Sequence, residues 1–267
     1  MNDLLETWLP NVSMIWPEVW DATYETLYMV IVGAVIGYAI GLVLGLLLLL
    51  TRRGGLTQNV IVYNILDKIV NIVRSIPFII LMALLVGVTR VIVGTSIGTE
   101  AMIVPIVGAT VPFYARQVEN ALLEIDPGLV EAAKASGLGT LDIIWRVYLR
   151  EGRVPIIRVS ALSFINVVAF SAMAGVVGGG GLGNLAIIRG YNRFQSDVTL
   201  VATLIILVIV FVSQLICNLL AKRLQHWDSL PPRTARSRLR RQSFASGATA
   251  CHLPLAGDDA QRRWVVT

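Results

Sequence analysis

The sequence is short of charge. Asp, Glu, Lys and Arg together account for 15% of its 267 residues, whereas 55% of the residues are hydrophobic. An ordinary soluble domain carries about 25% charged residues. Because the low charge comes with long uncharged runs, the composition indicates a membrane protein.

Motifs that carry chemistry are also missing. The two cysteines (Cys217 and Cys251) and the two histidines (His226 and His252) form no ligand-spaced pair, which argues against a disulfide framework or a metal site. The sequence has no G-x-x-x-x-G-K loop followed by Ser or Thr, so it lacks that route to ATP hydrolysis. No Ser/His/Asp or carboxylate constellation indicates an enzyme. We therefore expect no catalytic residue, metal or cofactor in this chain.

Five uncharged or nearly uncharged runs predict an all-α polytopic membrane protein. They cover residues 29–50, 76–93, 101–115, 159–177 and 198–220. A helix over the 22 residues of the first run is about 33 Å long, enough for a hydrocarbon core of about 30 Å. The third run is short and contains Pro105 and Pro112, so a re-entrant segment stays open. Residues 59–75 have apolar positions at helical spacing, which predicts a helix that lies in the interface or extends the second span.

Lys and Arg alternate between poor and rich segments along the chain. Residues 1–51 contain neither, the next loop opens with Arg52 and Arg53, and the insert at 129–155 holds four basic residues. By the positive-inside rule, the N-terminus lies outside, whereas the 129–155 insert and the C-terminus face the cytoplasm. Residues 228–267 contain seven arginines and no apolar span. That composition predicts a disordered tail, which either touches anionic lipid or has no function.

The polar insert has the signals of two short helices. Asp126 and Pro127 are suited to a helix start, and a helix over residues 129–136 places Glu131 and Lys134 on one face. Gly137 and Gly139 are expected to end it. A second helix is expected to be capped by Thr140 and to carry the apolar residues Ile143, Ile144, Val147 and Tyr148. A solvated loop and a docking surface for a cytoplasmic partner are both compatible with this pattern.

Two glycine patterns invite a functional interpretation. Small residues every four positions in the first span form one helix stripe, which favours close helix packing over a pore-lining role: Gly33, Gly37, Gly41 and Gly45. Gly178, Gly180 and Gly183 fit G-x-G-x-x-G with Asp197 beyond them. A dinucleotide site needs a β-strand before such a motif, but a membrane-length run precedes it here. We expect these glycines to bend the backbone at the outer mouth.

The source of energy for transport distinguishes a proton-coupled transporter from a subunit that is energised by another chain. A proton-coupled transporter is expected to place carboxylates or histidines within its spans, and the fourth and fifth runs contain none. This favours a transport subunit energised by another chain. A self-contained secondary amino-acid transporter or a channel subunit remains the alternative. Ser171 and Met173 in the fourth span are candidates for the translocation path, although helix packing explains them equally well.

The insert resembles a known loop. Glu131-Ala132-Ala133, followed by Gly137 and by Val147-Tyr148-Leu149, is similar to the EAA loop of ABC importer permeases. The resemblance implies that this loop is a coupling helix, which packs into a cleft on a separate ATPase subunit, with Glu131, Ala132, Ala133 and Gly137 in the coupling role. The family pattern ends in Leu-Pro, whereas Arg150 follows Leu149 here.

Several further stretches resemble permeases of methionine ABC uptake systems: VNIVRSIPFIIL (70–81), IVGTSIGTEAMIVP (92–105), FYARQVENALLEIDPGLVEAAKASG (113–137) and FSAMAGVVGGGGLGNLAIIRGYNRFQSDV (170–198). The resemblance implies a type I ABC importer permease core over residues 20–223, between an extracytoplasmic segment (1–19) and the basic tail (224–267). It also implies a homodimer in a bacterial inner membrane, two copies of an ABC ATPase that uses ATP, and an extracytoplasmic methionine-binding lipoprotein.

The topology can be tested by one-sided labelling. A cysteine introduced at Gly139 is expected to react only from the cytoplasm, and one at Asn192 only from outside, because the Lys and Arg counts place these loops on opposite sides. The measurement is modification by a membrane-impermeant maleimide in intact cells and in inverted vesicles. Labelling of both positions from the same side contradicts the five-span arrangement.

Overall fold

The computed structural model describes residues 10–228, and that part of the chain is built of helices without a β-strand. The helices are α1 (Pro10–Met14), α2 (Trp16–Thr51), α3 (Val60–Ser75), α4 (Phe78–Val93), α5 (Thr99–Leu123), α6 (Pro127–Ala135), α7 (Thr140–Ile143), α8 (Leu149–Glu151), α9 (Arg153–Ala174), α10 (Gly181–Asn184) and α11 (Ser196–Asp228). Three π-helical segments join or extend them: Ile144–Tyr148, Gly175–Gly179 and Leu185–Tyr191. The predicted all-α class is confirmed.

Within the described residues, four helices are long and apolar enough to cross a membrane: α2, α5, α9 with its π-helical extension, and α11. The bent pair α3–α4 brings the total to five if it counts as one span. α2 begins well before the predicted residue 29. Its 36 residues give a length of about 54 Å, longer than a whole bilayer of about 40–45 Å. Its charged first turns therefore extend beyond the hydrocarbon.

The third predicted span is a single helix. α5 has 25 residues and runs on through Pro105 and Pro112. A proline inside a helix removes one backbone hydrogen bond, and here both proline side chains are buried against neighbouring helices. This packing holds the helix together, and the structure shows no re-entrant turn at this place.

The segment at 59–75 does not extend the second span in a straight line. α3 and α4 meet at an angle of 112°. Ile76 is extended (φ −79°, ψ 125°), the conformation favoured before a proline, and Pro77 follows it. The bend leaves a row of isoleucines along α3 exposed by 53–74%: Ile61, Ile65, Ile69 and Ile72.

The glycine stripe of α2 lies against α5. A Cβ atom placed on Gly33 would lie 2.8 Å from the Ile106 side chain, and one on Gly45 would lie 2.6 Å from the Ala115 carbonyl oxygen. The corresponding nearest distances to α5 are 2.7 Å for Gly37 and 3.0 Å for Gly41. Only hydrogen fits at these positions, so the two helix backbones approach as closely as small residues allow.

Aromatic and hydroxyl side chains join α2 and α5 to α9. The rings of Tyr38 and Tyr114 stack with their centroids 4.4 Å apart. The Tyr38 hydroxyl donates to the Ser160 carbonyl oxygen at 3.0 Å, and the Tyr114 hydroxyl lies 2.7 Å from Ser160 Oγ. Both phenols are therefore partnered within the apolar interior, as buried tyrosines require.

Replacement of Gly45 by alanine tests the close packing. The new methyl group would meet the α5 backbone, so Gly45→Ala is expected to lower stability by roughly 1–3 kcal/mol. Gly87→Ala is the matched control, because Gly87 lies inside α4 and a Cβ added to it would have no atom within 4 Å. It is expected to leave stability unchanged or slightly higher. The measurement is the thermal unfolding midpoint in detergent, and equal midpoints for both variants contradict the packing argument.

Candidate functional site

The helix of the polar insert begins and ends by recognisable chemistry. Asp126 Oδ1 accepts a hydrogen bond from the Gly128 backbone N–H at 2.9 Å, and Pro127 is the first helical residue. At the other end, the Gly137 N–H donates to Lys134 O at 3.0 Å and the Leu138 N–H to Ala133 O at 3.2 Å. This is a Schellman motif, with Gly137 at φ +77°. The predicted helix is thus present as Pro127–Ala135.

The predicted cap of the second helix is wrong. Gly139, not Thr140, is the N-cap residue, and no side chain accepts a hydrogen bond there. Gly139 is extended (φ −68°, ψ 162°), a conformation open to any residue, so its role differs from that of Gly137. The chain then continues as α7, a π-helical segment and α8 as far as Gly152. Arg150 is helical here, and Pro155 lies in the first turn of α9, where its missing N–H costs little.

The insert has its own small core. Val130, Ala133 and Ile143 are buried together, and Leu138 and Tyr148 pack against them. Of the four candidate coupling residues, Ala133 therefore lies inside this core, whereas Glu131, Ala132 and Gly137 are exposed. The structure thus gives the adjacent alanines Ala132 and Ala133 opposite environments.

Tyr148 connects the insert to the membrane helices. It packs against the insert core and also against a second cluster formed by Leu49, Val118 and Leu122 of α2 and α5. Burial raises the pKa of the Tyr148 phenol, and the nearby Arg52 guanidinium opposes this rise. Tyr148 and Arg52 both line a cavity of about 440 Å³, which also contains Glu131 and Lys134. A displacement of α6 would therefore reach α2 and α5 through direct contacts.

The two candidate path residues have different environments. Ser171 is buried, and its hydroxyl donates to the Val168 carbonyl oxygen at 2.8 Å. Met173 is 45% exposed. A side chain that lines a path must be accessible, so of these two residues only Met173 meets that condition.

The glycine-rich turn packs on the first turns of α2. Gly178, Gly180 and Gly181 all have positive φ. The Gly181 N–H donates to Glu25 Oε2 at 2.5 Å, and the Leu182 N–H donates to Thr26 Oγ1 at 2.8 Å. A carboxylate occupies the position where a dinucleotide site would bind phosphate, and a helix, not a strand, precedes the turn. The rejection of a nucleotide site is supported on both grounds.

Asp197 also has a structural role. Its Oδ2 accepts hydrogen bonds from the backbone N–H groups of Asn11 and Val12 at 2.9 and 3.4 Å, and its Oδ1 accepts one from Asn11 Nδ2 at 3.0 Å. It thereby caps α1 and fixes that helix to the start of α11. Asp197 is therefore not the acidic residue that binds a ribose hydroxyl after the glycine motif of a dinucleotide site.

A charged network in α3 and α5 was missed from the sequence. The Arg116 guanidinium contacts the Asp67 carboxylate and donates to Glu119 Oε2 at 2.7 Å. The Tyr63 hydroxyl donates to Glu119 Oε1 at 3.3 Å, and Asn71 Nδ2 donates to Asp67 Oδ2 at 3.1 Å. The spacings Asp67–Asn71 and Arg116–Glu119, four and three residues along two helices, are the signal that could have revealed it.

This network bears on the proton-coupling alternative. Glu119 is only 2% exposed, which would mark it as a candidate proton carrier if it stood alone. Arg116 and Tyr63 instead occupy both of its oxygens. Glu119 is thus ion-paired within α5 by Arg116 and hydrogen-bonded to α3 by Tyr63, an arrangement typical of a structural carboxylate.

The described residues hold no cluster of three or more potential metal ligands. Cys217 is a free, half-buried thiol. Cys251, His252 and the predicted tail from residue 229 onward lie outside the described residues, as do residues 1–9 of the predicted N-terminal segment.

The proteins that this chain resembles are membrane transport components, in agreement with the helical architecture described above. Residues 37–226 fit the model of the family described as binding-protein-dependent transport system inner membrane component. The chain belongs to this family. It is 46% identical over 173 residues to the methionine import system permease protein MetP of Bacillus subtilis, covering 65% of this chain and 78% of that one.

A second relative and a solved structure agree. The probable D-methionine transport system permease protein MetI of Pasteurella multocida is 46% identical over 177 residues, covering 66% of this chain and 82% of that one. A chain of the inward-facing MetNI methionine ABC transporter superimposes with a TM-score of 0.77 at 40% identity, covering 79% of this chain and 98% of that chain. The predicted permease fold and the family are confirmed.

Proposed function

We propose that this chain is the membrane-spanning permease subunit of an ATP-driven importer for methionine. The observation that carries the proposal is the Gly137-capped corner of the insert, combined with relatives at 46% identity that are named methionine permeases. The corner presents the exposed Glu131 and Ala132 next to a helix end that is fixed by a Schellman motif.

The proposed assembly contains a second copy of this chain, two copies of an ABC ATPase and an extracytoplasmic methionine-binding lipoprotein. The name of the MetNI transporter and the family description support these classes of partner. ATP is bound and hydrolysed by the ATPase subunit. The bilayer and the second copy together account for the apolar side chains of α11, few of which are buried in the single chain.

The coupling step assigns separate roles to the four insert residues. Glu131 pairs with a basic group of the ATPase. Ala132, with its small side chain, allows the ATPase surface to approach α6 closely. Ala133 anchors α6 in the insert core, and Gly137 sets the angle at which α6 ends. Tyr148 then transmits a movement of α6 to α2 and α5, since it contacts both clusters.

The proposed orientation places α6 in the cytoplasm, the N-terminus outside, and residues 20–223 within the permease domain. Met173 faces the translocation path, and Ser171 supports it from the packed side of α9. In this orientation the turn held by Glu25 lies at the outer mouth. The charge network around Arg116 lies towards the cytoplasmic end of α5.

Reconstitution tests the proposed function. The permease alone in proteoliposomes is expected to show no methionine uptake with ATP or with a proton gradient, because it has no phosphate loop and Glu119 is paired. Addition of the ATPase and the loaded binding protein is expected to give ATP-dependent uptake of radiolabelled methionine. Uptake by the isolated chain in a proton gradient would favour the secondary-transporter alternative.

Two glycine variants test the coupling corner. Gly137→Val places a β-branched residue at φ +77°, with an expected strain of roughly 1–2 kcal/mol or more. A Cβ added at this position would have no atom within 4 Å, so the effect is one of backbone geometry alone. We expect an inserted, dimeric permease with weakened ATPase association and little uptake.

Gly139→Val is the matched control, because Gly139 is extended and a Cβ added to it would make only an ordinary contact, 3.7 Å from Asp142 Oδ2. It is expected to bind the ATPase nearly as well as the wild type. Co-purification of the ATPase with each variant is the measurement. Equal recovery with both variants contradicts the role assigned to Gly137.

A further inference from the structure

A cavity of about 330 Å³ lies between α4, the loop at 94–98, α5 and Val177 of the glycine-rich turn. Its volume is within the range of about 300–1,000 Å³ that is usual for small-molecule sites. It is distinct from the coupling corner, and the function proposed above gives it no role.

One side chain in this cavity lacks a partner. Thr89 is 3% exposed as a whole residue, but its hydroxyl is accessible from the cavity and makes no hydrogen bond to any residue that the structure describes. Among those residues, the buried side-chain oxygen without a partner is Ser163 Oγ, which lies elsewhere. The other three buried threonines of this part of the chain, Thr26, Thr51 and Thr110, each donate to the carbonyl oxygen one helical turn earlier. The Thr89 hydroxyl is therefore available to a polar group of a ligand that enters the cavity.

The cavity is polar at one end and apolar at the other. Thr89 lies near the C-terminal end of α4, beside the loop where Ser96 supplies a second hydroxyl. Further back along the same face of α4 the lining is apolar, and Met82 there is matched by Met102 of α5. A free amino acid with an unbranched apolar side chain has the same division into a charged end and an apolar end. Methionine thioethers adapt to irregular apolar surfaces and provide polarisable contacts.

We propose that this cavity binds the imported amino acid during transport. Thr89 and Ser96 hydrogen-bond to its α-amino and α-carboxylate groups, and its side chain lies between Met82 and Met102. The inference rests on the proposed function, from which it takes methionine as the substrate. In the proposed orientation the hydroxyl end of the cavity is the outer end.

Two substitutions at one position test the hydroxyl. The complete complex with ATPase and saturating methionine-loaded binding protein is assayed in proteoliposomes. Thr89→Val removes the hydroxyl at nearly constant shape and is expected to lower the rate of methionine uptake about five- to tenfold. Thr89→Ser keeps the hydroxyl and is expected to stay close to wild type. Thr203→Val, at an exposed threonine that bonds only within α11, is the control and is expected to have no effect.

A third variant tests the apolar end. Ala83→Leu adds volume to the cavity from an exposed position of α4, so the fold is expected to tolerate it. It is expected to reduce uptake of ethionine, the ethyl homologue, several-fold more than uptake of methionine. Two results together overturn the inference: a wild-type rate of methionine uptake for Thr89→Val, and an unchanged ratio of ethionine to methionine uptake rates for Ala83→Leu. The cavity would then be a packing gap or a lipid-filled space. If the wild-type complex transports no methionine, the proposed function fails first, and this inference fails with it.

Discussion

The close approach of α2 and α5 is the contact on which the rest of the described structure depends. Four glycines on α2 bring its backbone against the side chains and carbonyl groups of α5, and Tyr38 and Tyr114 then reach Ser160 of α9. Lipid exerts no hydrophobic force between helices, so close packing and buried hydrogen bonds must supply the attraction. α5 also lines the 330 Å³ cavity, and α2 and α5 together contact the insert through Tyr148, so both features are built against this helix pair.

Much of this architecture could be predicted from local signals. Charge-free length located the spans, and the pair Asp126-Pro127 together with Gly137 located α6, because capping chemistry acts over a few residues. The start of α2 and the continuity of α5 could not be predicted in this way. Glu18, Asp21 and Glu25 interrupt the apolar run without interrupting the helix, and tertiary packing preserves α5 through its two prolines. The Arg116 network was missed because it pairs residues 49 positions apart.

The corner of the insert around Gly137 shows how a short motif combines two requirements. Ala133 and Gly137 fix the position and end of α6, whereas Glu131 and Ala132 remain on the surface. The motif alone predicts these four residues as one site, because their order in the sequence does not show which side of α6 packs against the insert core. Burial separates them into residues that hold α6 in place and residues that are free to meet a partner. Arg150 stands where the resembled loop pattern has proline; it is helical, within α8 (Leu149–Glu151), and the corner at Gly137 is formed all the same.

The hydrogen bond from Gly181 to Glu25 joins residues 156 positions apart. During synthesis, the helix that carries Glu25 emerges long before the turn that completes its binding site. The carboxylate therefore has to remain in water, at the membrane surface, while three further spans are inserted: the bent pair α3–α4, α5 and α9. Glu25 lies in the part of α2 that extends beyond the hydrocarbon. Its carboxylate can therefore remain hydrated until the turn forms, and no unpaired charge has to be buried within the bilayer. The excess length of the first helix thus has a consequence for the order of assembly: the last glycine turn can dock onto a first helix that is already in place.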